Sequence, residues 1–272
     1  MTSNALGSIS FTDVRANLFP RRLYRTLQFS PPTNMVFVPP ATFIMGSPTD
    51  EQGRNINEGP QTTVILTRGY WIAKYEVTQG EYLTVMNTNP SVFPGDPGRP
   101  VSNVRWLDAT NYCAKLTEHE LAAGRIPPGS RYRLPTEAEW ECAARAGTTT
   151  RFSYGDDPTY AGATNYMWHL FNADLTVHPV GQKLPNPWGL YDMYGNVWEW
   201  CQDWYDSLPG GVQIDPTGPA GPVQFDEIVM RGGAYDYPDS SCRSASRLFF
   251  PATPFHTDSD LGFRVVLAFE SQ

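Results

Sequence analysis

The chain has 272 residues and a formal net charge of −8, and its hydrophobic and aromatic fractions, 40% and 13%, are typical of a globular protein with an aromatic-rich core. The negative charge and the lack of a basic run exclude a protein that binds nucleic acid through its phosphates, because no segment would release counterions. No apolar run reaches the length of a membrane span, and 23 Gly with 25 Pro predict many turns and loops.

Residues 1–33 differ in pattern from the rest of the chain. They hold two short alternating runs typical of β-strands, followed by Pro31 and Pro32. We interpret them as an N-terminal arm or as the tail of a preceding domain, and residues 34–272 as one further domain. Residues 1–20 lack the basic and apolar regions of a secretory signal peptide, so the sequence assigns no compartment.

The first part of the domain has the composition of β-strands. Residues 35–46, MVFVPPATFIMG, indicate two strands joined at Pro39 and Pro40 in the manner of a hairpin. After a polar loop over residues 47–60, the run TTVILTRGYWIAKYEVT predicts two more strands, because it is rich in β-branched and aromatic side chains.

Helical signals follow these strands. T-x-x-E capping boxes at Thr78 and Thr136 mark two helix starts, because the Thr hydroxyl and the Glu carboxylate satisfy free backbone N–H groups there. Another helix is predicted over residues 106–122, with Cys113 on its buried face. With many short strands, two to three helices and long loops, the predicted class is α+β.

The run GLYDMYGNVWEWCQDW, Gly189 to Trp204, has neither a helical nor an alternating strand period. Its glycines allow positive φ and therefore tight turns. Its carboxylate, amide and carbonyl oxygens are the hard ligands that Ca²⁺ prefers. The residues alone leave two interpretations open: a cation-binding loop, or an aromatic core turn whose acids cap backbone groups.

Cysteine and histidine spacing excludes the common zinc sites. The four cysteines are far apart and include no C-x-x-C pair, and the four histidines show no ligand spacing. One or two disulfides are compatible with this count, a Cys201–Cys242 pair among them, and four buried thiols are the default expectation.

Eight motifs occur in a fixed order between Met35 and Phe269. They read FVPPATFIMGS, YWIAKYEVTQGEY, PVSNVRWLDATNYC, YRLPTEAEWECAARAG, NPWGLYDMYGNVWEW, RGGAY, CRSASR and LGFRVV. This series resembles the formylglycine-generating enzyme (sulfatase-modifying factor) family. The resemblance implies a C-type lectin-like fold, in which a twisted mixed sheet carries two to three helices and much irregular loop.

The resemblance also implies a structural calcium ion in the Gly189 to Trp204 run. Carried over position by position, the ligands are the side chains of Asp192 and Glu199 and the backbone carbonyls of Gly195 and Val197. A second calcium site of the family falls near four residues in a segment that is shorter and differently composed here: Asn165, Tyr166, and Asn172 or Asp174.

Catalysis by the family's mechanism is not expected. The enzymes oxidise a substrate cysteine with a copper ion held by two cysteines after a GGS motif, whereas this chain has Ala234 in place of that serine. Cys242 is the single cysteine of the segment, and Cu(I) needs at least two soft thiolates, so copper is not expected. A related branch that uses non-haem iron takes its histidines from an added helical domain, and nothing here supplies them.

The segment from Asp236 to Asp260 is the candidate binding surface, because function in this fold lies in its loops. Arg243, Ala245 and Arg247 match the family framework, where the arginines form buried hydrogen bonds or ion pairs. The aromatic residues of the segment are expected to be exposed and to bind a protein or another macromolecule. The predicted ligand-binding residues are Tyr235, Asp236, Tyr237, Asp239, Ser240, Phe249, Phe250, Phe255, His256 and Asp258.

The composition of that segment suggests how it arose. Outside the framework it holds only residues that substitution at adenines produces from the asparagine codon AAC. Diversity-generating retroelements vary their target proteins in this way, and those targets resemble this chain in having a C-type lectin fold with a C-terminal variable segment.

Three functions remain open on the sequence. The chain is a non-catalytic ligand-binding module, diversified or not; or an oxidoreductase of the formylglycine-generating type with an altered site; or a structural or accessory domain of a larger protein. The first and third interpretations are compatible.

Overall fold

The computed structural model describes residues 32–223, 226–251 and 257–269, and the backbone of two short strands near the amino terminus. The helices are α1 (Gln79–Met86), α2 (Trp106–Ala122), α3 (Glu137–Arg145) and α4 (Ala163–Tyr166). The strands are β1 (Thr2–Ser3), β2 (Ile9–Ser10), β3 (Met35–Val38), β4 (Ala41–Met45), β5 (Thr62–Leu66), β6 (Tyr70–Ala73), β7 (Ser130–Arg133), β8 (Trp198–Trp204), β9 (Val212–Ile214), β10 (Glu227–Arg231), β11 (Arg247–Pro251), β12 (Leu261–Gly262) and β13 (Val266–Phe269).

The strands that follow residue 32 form three sheets in the described part of the chain. Their orders are β11-β10-β8-β12, β3-β6-β13-β7 and β4-β5-β9, and β1 pairs separately with β2. The β8–β12 and β5–β9 pairs are parallel and the other pairs are antiparallel. The α+β class is therefore confirmed, with mixed sheets and few helices.

The predicted hairpin over residues 35–46 is wrong. Strand β3 pairs with β6, whereas β4 pairs with β5 in a different sheet. The physical reason lies at Pro39 and Pro40, which fix φ and lack N–H donors, so the ladder ends at Val38 and the chain crosses to the second sheet.

The helix starts predicted from capping boxes are confirmed. Thr78 accepts a hydrogen bond from the Glu81 N–H at 3.2 Å, and the Glu81 carboxylate accepts one from the Thr78 N–H at 2.9 Å. Thr136 and Glu139 repeat this exchange at the start of α3. Every residue of α3 is buried, so this helix lies inside the core.

Strand β8 separates two clusters of buried side chains. Trp198 and Trp200 face a cluster that includes α1 and α2, and Cys201 faces a second cluster that includes α3. The expectation that Trp198 to Trp204 has no strand structure is wrong. Since β8 is covered on both faces, its sequence lacks the polar and apolar alternation of a half-exposed strand.

All four cysteines are free thiols in buried positions, so a Cys201–Cys242 disulfide is absent and the default expectation is confirmed. Burial raises the pKa of Cys113, Cys142 and Cys242 to about 12. These thiols are therefore packing groups. No helix in the described residues is both long and apolar enough to cross a bilayer.

The Asp203 carboxyl connects β8 to the start of α3, where it accepts a hydrogen bond from the Glu137 N–H at 2.9 Å. Burial and the Glu137 carboxylate raise its pKa from 3.8 to about 8. The folded protein therefore keeps a proton that the unfolded chain loses near pH 4. The resulting stability is complete below about pH 4 and is lost as the pH rises through about 8.

We expect Asp203→Asn to remove this pH dependence, because the amide oxygen still accepts the Glu137 N–H and never ionises. In urea unfolding at about pH 5, 7 and 9, the free energy of unfolding of the variant should rise steadily relative to wild type. Parallel pH profiles for the two proteins would contradict the assignment.

Candidate functional site

The turn before β8 is built on backbone that only certain residues adopt. Asp192, Gly195 and Asn196 have φ of 53°, 74° and 63°. A Cβ at position 195 would lie 2.0 Å from the Trp168 carbonyl oxygen, so only glycine fits. The Asn196 side chain holds the turn to its surroundings, since Oδ1 accepts from the His178 N–H at 3.0 Å.

Asp192 is the predicted calcium ligand with a free oxygen. Its side chain is 1% exposed, and Oδ2 accepts a hydrogen bond from the Gly181 N–H at 2.7 Å. Oδ1 is buried and has no partner in the described residues. Burial raises the pKa of this carboxyl to about 6.

Glu199, the other predicted side-chain ligand, already has strong partners. Arg264 donates from Nε to Oε2 at 2.6 Å and from Nη2 to Oε1 at 2.5 Å, and the Trp140 indole donates to Oε2 at 2.7 Å. Glu199 and Arg264 are both fully buried. The pair joins β8 to the segment between β12 and β13.

Glu76 belongs to the same site and was not predicted from the sequence. It is 1% exposed and accepts hydrogen bonds from the Asn196 side chain at 2.7 Å and the Val197 N–H at 3.2 Å. Burial, followed by the Asp192 and Glu199 charges, raises its pKa well above 4.5. Because it lies 120 residues from Asn196, no local pattern could have marked it.

The site offers hard oxygens of the carboxylate and carbonyl kinds, although no three acidic side chains of the described residues are positioned to share one metal ion. Glu76, Asp192 and Glu199 are close enough to perturb one another; Arg264 offsets all three, and Lys183 also acts on Asp192. No described residue donates a hydrogen bond to the carbonyls of Gly195 or Val197. Together with Asp192 Oδ1 they provide oxygens without partners, which is the chemistry that Ca²⁺ requires.

The residues of the second predicted calcium site are partly used in other contacts. The Asn172 side chain accepts from the His169 N–H at 2.8 Å and donates to the Met167 carbonyl at 3.0 Å. The Asn165 carbonyl accepts from the Leu184 N–H at 2.9 Å. Tyr166 stacks on Tyr154 with ring centroids 4.0 Å apart, and Asp174 is exposed. The second site stays a prediction.

The aromatic residues of the C-terminal segment are less exposed than expected. Tyr235 is 4% exposed and packs edge-on against Phe93, so its predicted exposure is wrong. The reason is that the Tyr235 N–H is bonded to the Asn196 carbonyl at 2.9 Å, which holds this residue against the turn before β8, where it packs in a buried cluster. Tyr237 is half-buried and meets Trp198 edge-on at 5.3 Å.

The two phenylalanines of β11 lie on opposite faces of that strand. Phe249 packs on Tyr205 with centroids 4.1 Å apart, whereas Phe250 packs on Trp200 at 6.5 Å. Only Phe250 therefore belongs to the cluster that includes Tyr237. Both residues are half-buried, not fully exposed as predicted.

Polar residues supply the exposed part of the segment. Asp236, Asp239 and Ser240 are partly exposed, and Asp258 is exposed. Asp239 accepts a hydrogen bond from the Ser240 N–H at 2.8 Å and is the first residue of a short 3₁₀ turn, Asp239–Ser241. Phe255 and His256, the remaining predicted binding residues, lie outside the described residues.

The predicted framework arginines do form buried ion pairs. Arg243 pairs with Glu58 and Glu51, and Arg247 pairs with Glu137 at 2.7 Å. Cys242 lies against the backbone beside them, since a Cβ at Gly233 would be 2.4 Å from its sulfur. Burial raises the pKa of this thiol to about 12, so it is protonated at neutral pH.

Comparison with known proteins places this geometry in a family. The family model for the sulfatase-modifying factor enzyme 1-like domain matches residues 21–269 of the sequence. The chain is 39% identical over 184 residues to a formylglycine-generating enzyme of Streptomyces coelicolor, which covers 62% of this chain and 53% of that enzyme. It is 37% identical over 174 residues to serine/threonine-protein kinase pkn1 of Chlamydia pneumoniae, covering 63% of this chain and 24% of the kinase. The chain thus spans about half the length, or less, of these two relatives.

A solved structure agrees with these relatives. Treponema denticola variable protein 1 aligns with a TM-score of 0.73 and 32% identity, over 85% of this chain and 94% of that one. The expected C-type lectin-like fold of the formylglycine-generating type is therefore confirmed. The chain belongs to the sulfatase-modifying factor enzyme 1-like family.

Proposed function

We propose that this protein is a non-catalytic ligand-binding member of its family, and that the binding surface lies on the C-terminal loops. The observation that carries the proposal is the division of residues 235–260 into two sets. Arg243, Ser244, Ala245 and Ser246 are buried and hold the backbone, whereas Asp236, Tyr237, Asp239, Ser240 and Asp258 reach solvent. A rigid frame that carries exposed polar and aromatic groups is the arrangement of a binding surface.

The similarity to variable protein 1 supports a diversified surface. In this proposal the exposed positions of the segment differ between copies of the gene, and the buried frame does not. The test lies in the neighbouring DNA. A near-copy of the codons for residues 230–265 that differs at adenines, next to a reverse transcriptase gene, would support the retroelement. The absence of such a near-copy would exclude diversification by a retroelement. It would not bear on ligand binding, which has its own test.

The state of Cys242 argues against oxidation of substrate cysteines. The thiol is buried and protonated, and no second cysteine lies between Gly233 and Arg247 to complete a Cu(I) site. We expect no aldehyde when the protein is incubated with Cu(I), oxygen and a Cys-x-Pro-x-Arg peptide and the peptide is analysed by mass spectrometry. Aldehyde formed at an enzymatic rate and lost in Cys242→Ser would establish the oxidoreductase instead.

Calcium has a structural role in this proposal. Asp192, Gly195, Val197 and Glu199 would hold the ion, which would add positive charge to a site where Arg264 pairs with Glu199 but Asp192 Oδ1 has no partner in the described residues. These residues join β8 to the loops on which the binding surface lies, so the ion would hold those loops in position. The surface itself contains none of the four.

The accessory-domain interpretation remains compatible. The match to kinase pkn1 covers 24% of that protein, so a domain of this family occurs there within a larger chain. Binding through the C-terminal loops would then bring a partner to the other domains of such a chain.

Selection of peptides on the immobilised protein tests the binding surface. A random dodecapeptide library is panned on wild type, and each enriched peptide is measured by biolayer interferometry on two variants. Tyr237→Ser/Asp239→Ser changes two side chains of the surface that reach solvent. Val212→Ser/Ile214→Ser is the matched control, since these side chains are 61% and 65% exposed on β9 in another sheet.

We expect enriched peptides to lose affinity about tenfold or more on the surface variant and to keep it on the control, because a few aromatic contacts dominate such interfaces. Peptides that bind wild type and the surface variant equally would place the binding site elsewhere. A library that yields no binder at all would count against ligand binding by this surface.

A further inference from the structure

Strand β9, Val212–Ile214, lies at one edge of the sheet β4-β5-β9, and no strand of the described residues lies beyond it. Its neighbour β5 binds it through alternate residues. The Thr63 N–H donates to the Gly211 carbonyl at 2.8 Å, and the Asp215 N–H donates to the Ile65 carbonyl at 2.9 Å. These two bonds fix which backbone groups of β9 are used inside the sheet.

The other backbone groups of β9 point to the open side of the sheet. Gly211, Gln213 and Asp215 face β5, so the N–H and C=O groups of Val212 and Ile214 are directed away from it. These four groups have no hydrogen-bond partner in the part of the chain that the structure describes. A row of unpaired backbone groups is a template on which another strand can pair.

The side chains of the same two residues are apolar and exposed. Val212 is 61% exposed and Ile214 is 65% exposed. The register with β5 places them on the face of Thr63 and Ile65, whereas Val64 points to the opposite face and is fully buried in the core. Soluble proteins usually protect such an edge with a charge, a proline or a bulge within the strand. An apolar edge that lacks these devices indicates a partner.

The surroundings of β9 favour an uncharged partner. Asp215 is the one ionisable residue between Asp206 and Val223 in the sequence. Its two carboxylate oxygens accept hydrogen bonds from Thr67, one from the N–H at 2.7 Å and one from the hydroxyl at 2.5 Å. A net charge of −8 makes two copies of this chain repel each other in general, and at the β9 edge they can meet without opposing free acids.

Two β9 strands are self-complementary when they run antiparallel about a two-fold axis at Gln213. Val212 then lies opposite Ile214 of the second copy, and these two residues exchange both N–H···O=C bonds. Symmetry supplies the second such pair, so every unpaired backbone group of the two strands is satisfied. The exposed apolar side chains become cross-strand neighbours on one face. Asp215 lies opposite Gly211, which has neither a charge nor a side chain.

We propose that β9 is a homodimer interface at which two copies of the chain join edge to edge into one sheet, β4-β5-β9-β9-β5-β4. The strand has three residues, so the contact is small and the dimer should be weak and dependent on concentration. Such a dimer carries two C-terminal surfaces, and a partner that repeats its epitope would bind it with avidity. The proposal goes beyond the binding function and does not depend on it.

Cysteine substitution along β9 tests the register. The two-fold axis places Gln213 opposite its own copy in a pair without hydrogen bonds, where the Cα atoms are about 4.5 Å apart and a disulfide fits. The two copies of Val212 lie on a diagonal, about 7–8 Å apart, which is too far for a disulfide. Each variant is oxidised with diamide, which takes two electrons and two protons from a thiol pair, and is analysed by non-reducing electrophoresis.

We expect Gln213→Cys to form at least about five times as much covalent dimer as Val212→Cys, because its thiols alone meet across the axis. Wild type should form none, since its four cysteines are buried. Equal cross-linking at the two positions would overturn the proposed register and with it the interface.

Sedimentation of the full chain measures the association without a cross-link. The weight-average mass of wild type should rise towards that of a dimer between about 10 and 1000 µM. Ile214→Pro removes an outward N–H and keeps the ladder with β5, so it should weaken the dimer about tenfold or more with little change in Tm. Val212→Ser/Ile214→Ser should weaken the dimer too, and should leave peptide binding unchanged because the C-terminal surface lies in another sheet.

Three results would assign the edge otherwise, and each would overturn the proposal. The first is a wild-type chain that stays monomeric at about 1 mM while its Val212 and Ile214 amides are protected from hydrogen exchange, because another segment of the same chain would then cover β9. The second is a monomer that binds library peptides through β9, with binding lost in Ile214→Pro, because the partner would then be a strand of a different protein. The third is a dimer that is unaffected by Ile214→Pro and does not cross-link through Gln213→Cys.

Discussion

Replacement of Arg264 by methionine is expected to lower the free energy of unfolding by about 3–5 kcal/mol, the largest effect of any single substitution considered for this protein. Arg264 and Glu199 are fully buried, and Nη2 lies 2.5 Å from Glu199 Oε1. Without the guanidinium, a carboxylate remains inside the core beside Asp192 and Glu76. Urea unfolding followed by tryptophan fluorescence measures the loss.

A double variant separates the charge from the packing. Glu199→Gln/Arg264→Met removes both charges and keeps an acceptor for the Trp140 indole. We expect it to recover a large part of the stability lost by Arg264→Met alone, since the cost of an unpaired charge disappears. A double variant that is less stable than the single one would show that Arg264 acts mainly through its hydrogen bonds to backbone carbonyls, among them that of Ala73 at 3.1 Å.

Removal of calcium is expected to have the next largest effect. At a free ion concentration about 100 times the dissociation constant, bound calcium adds about 2.7 kcal/mol to the free energy of unfolding. For a chain of this size, that corresponds to a fall in Tm of about 5–10 °C on addition of EGTA. Differential scanning calorimetry with EGTA, and again after excess Ca²⁺, measures the shift and its reversal.

Asp192→Asn tests whether that ion lies in the predicted loop. The substitution removes the carboxylate whose Oδ1 has no partner and keeps the amide oxygen that can accept from Gly181. The variant should show little change in Tm on chelation. Glu199 is a poorer probe, because its replacement also breaks the pair with Arg264. A wild-type Tm that is unaffected by EGTA would leave the loop as a metal-free turn.

The fold was predictable to the extent that its signals are local. The capping boxes at Thr78 and Thr136 require two residues three positions apart, and both helices begin where the pattern says. The motif series identified the family, and the framework arginines Arg243 and Arg247 are paired as that resemblance implies. Strand pairing was harder to predict. The hairpin expected at Pro39 and Pro40 is instead two strands that pair in separate sheets.

The features of the candidate sites likewise fall into two groups, those predictable from the sequence and those visible only in the folded structure. Sequence by itself determined the turn before β8, the segment proposed as the binding surface, and the single cysteine that argues against copper. Only the tertiary structure decided that Tyr235 is buried and that Glu76 joins Asp192 and Glu199. The physical reason is distance along the chain: helix caps depend on neighbours within one turn, whereas burial and charge depend on segments that meet only when the sheets have formed.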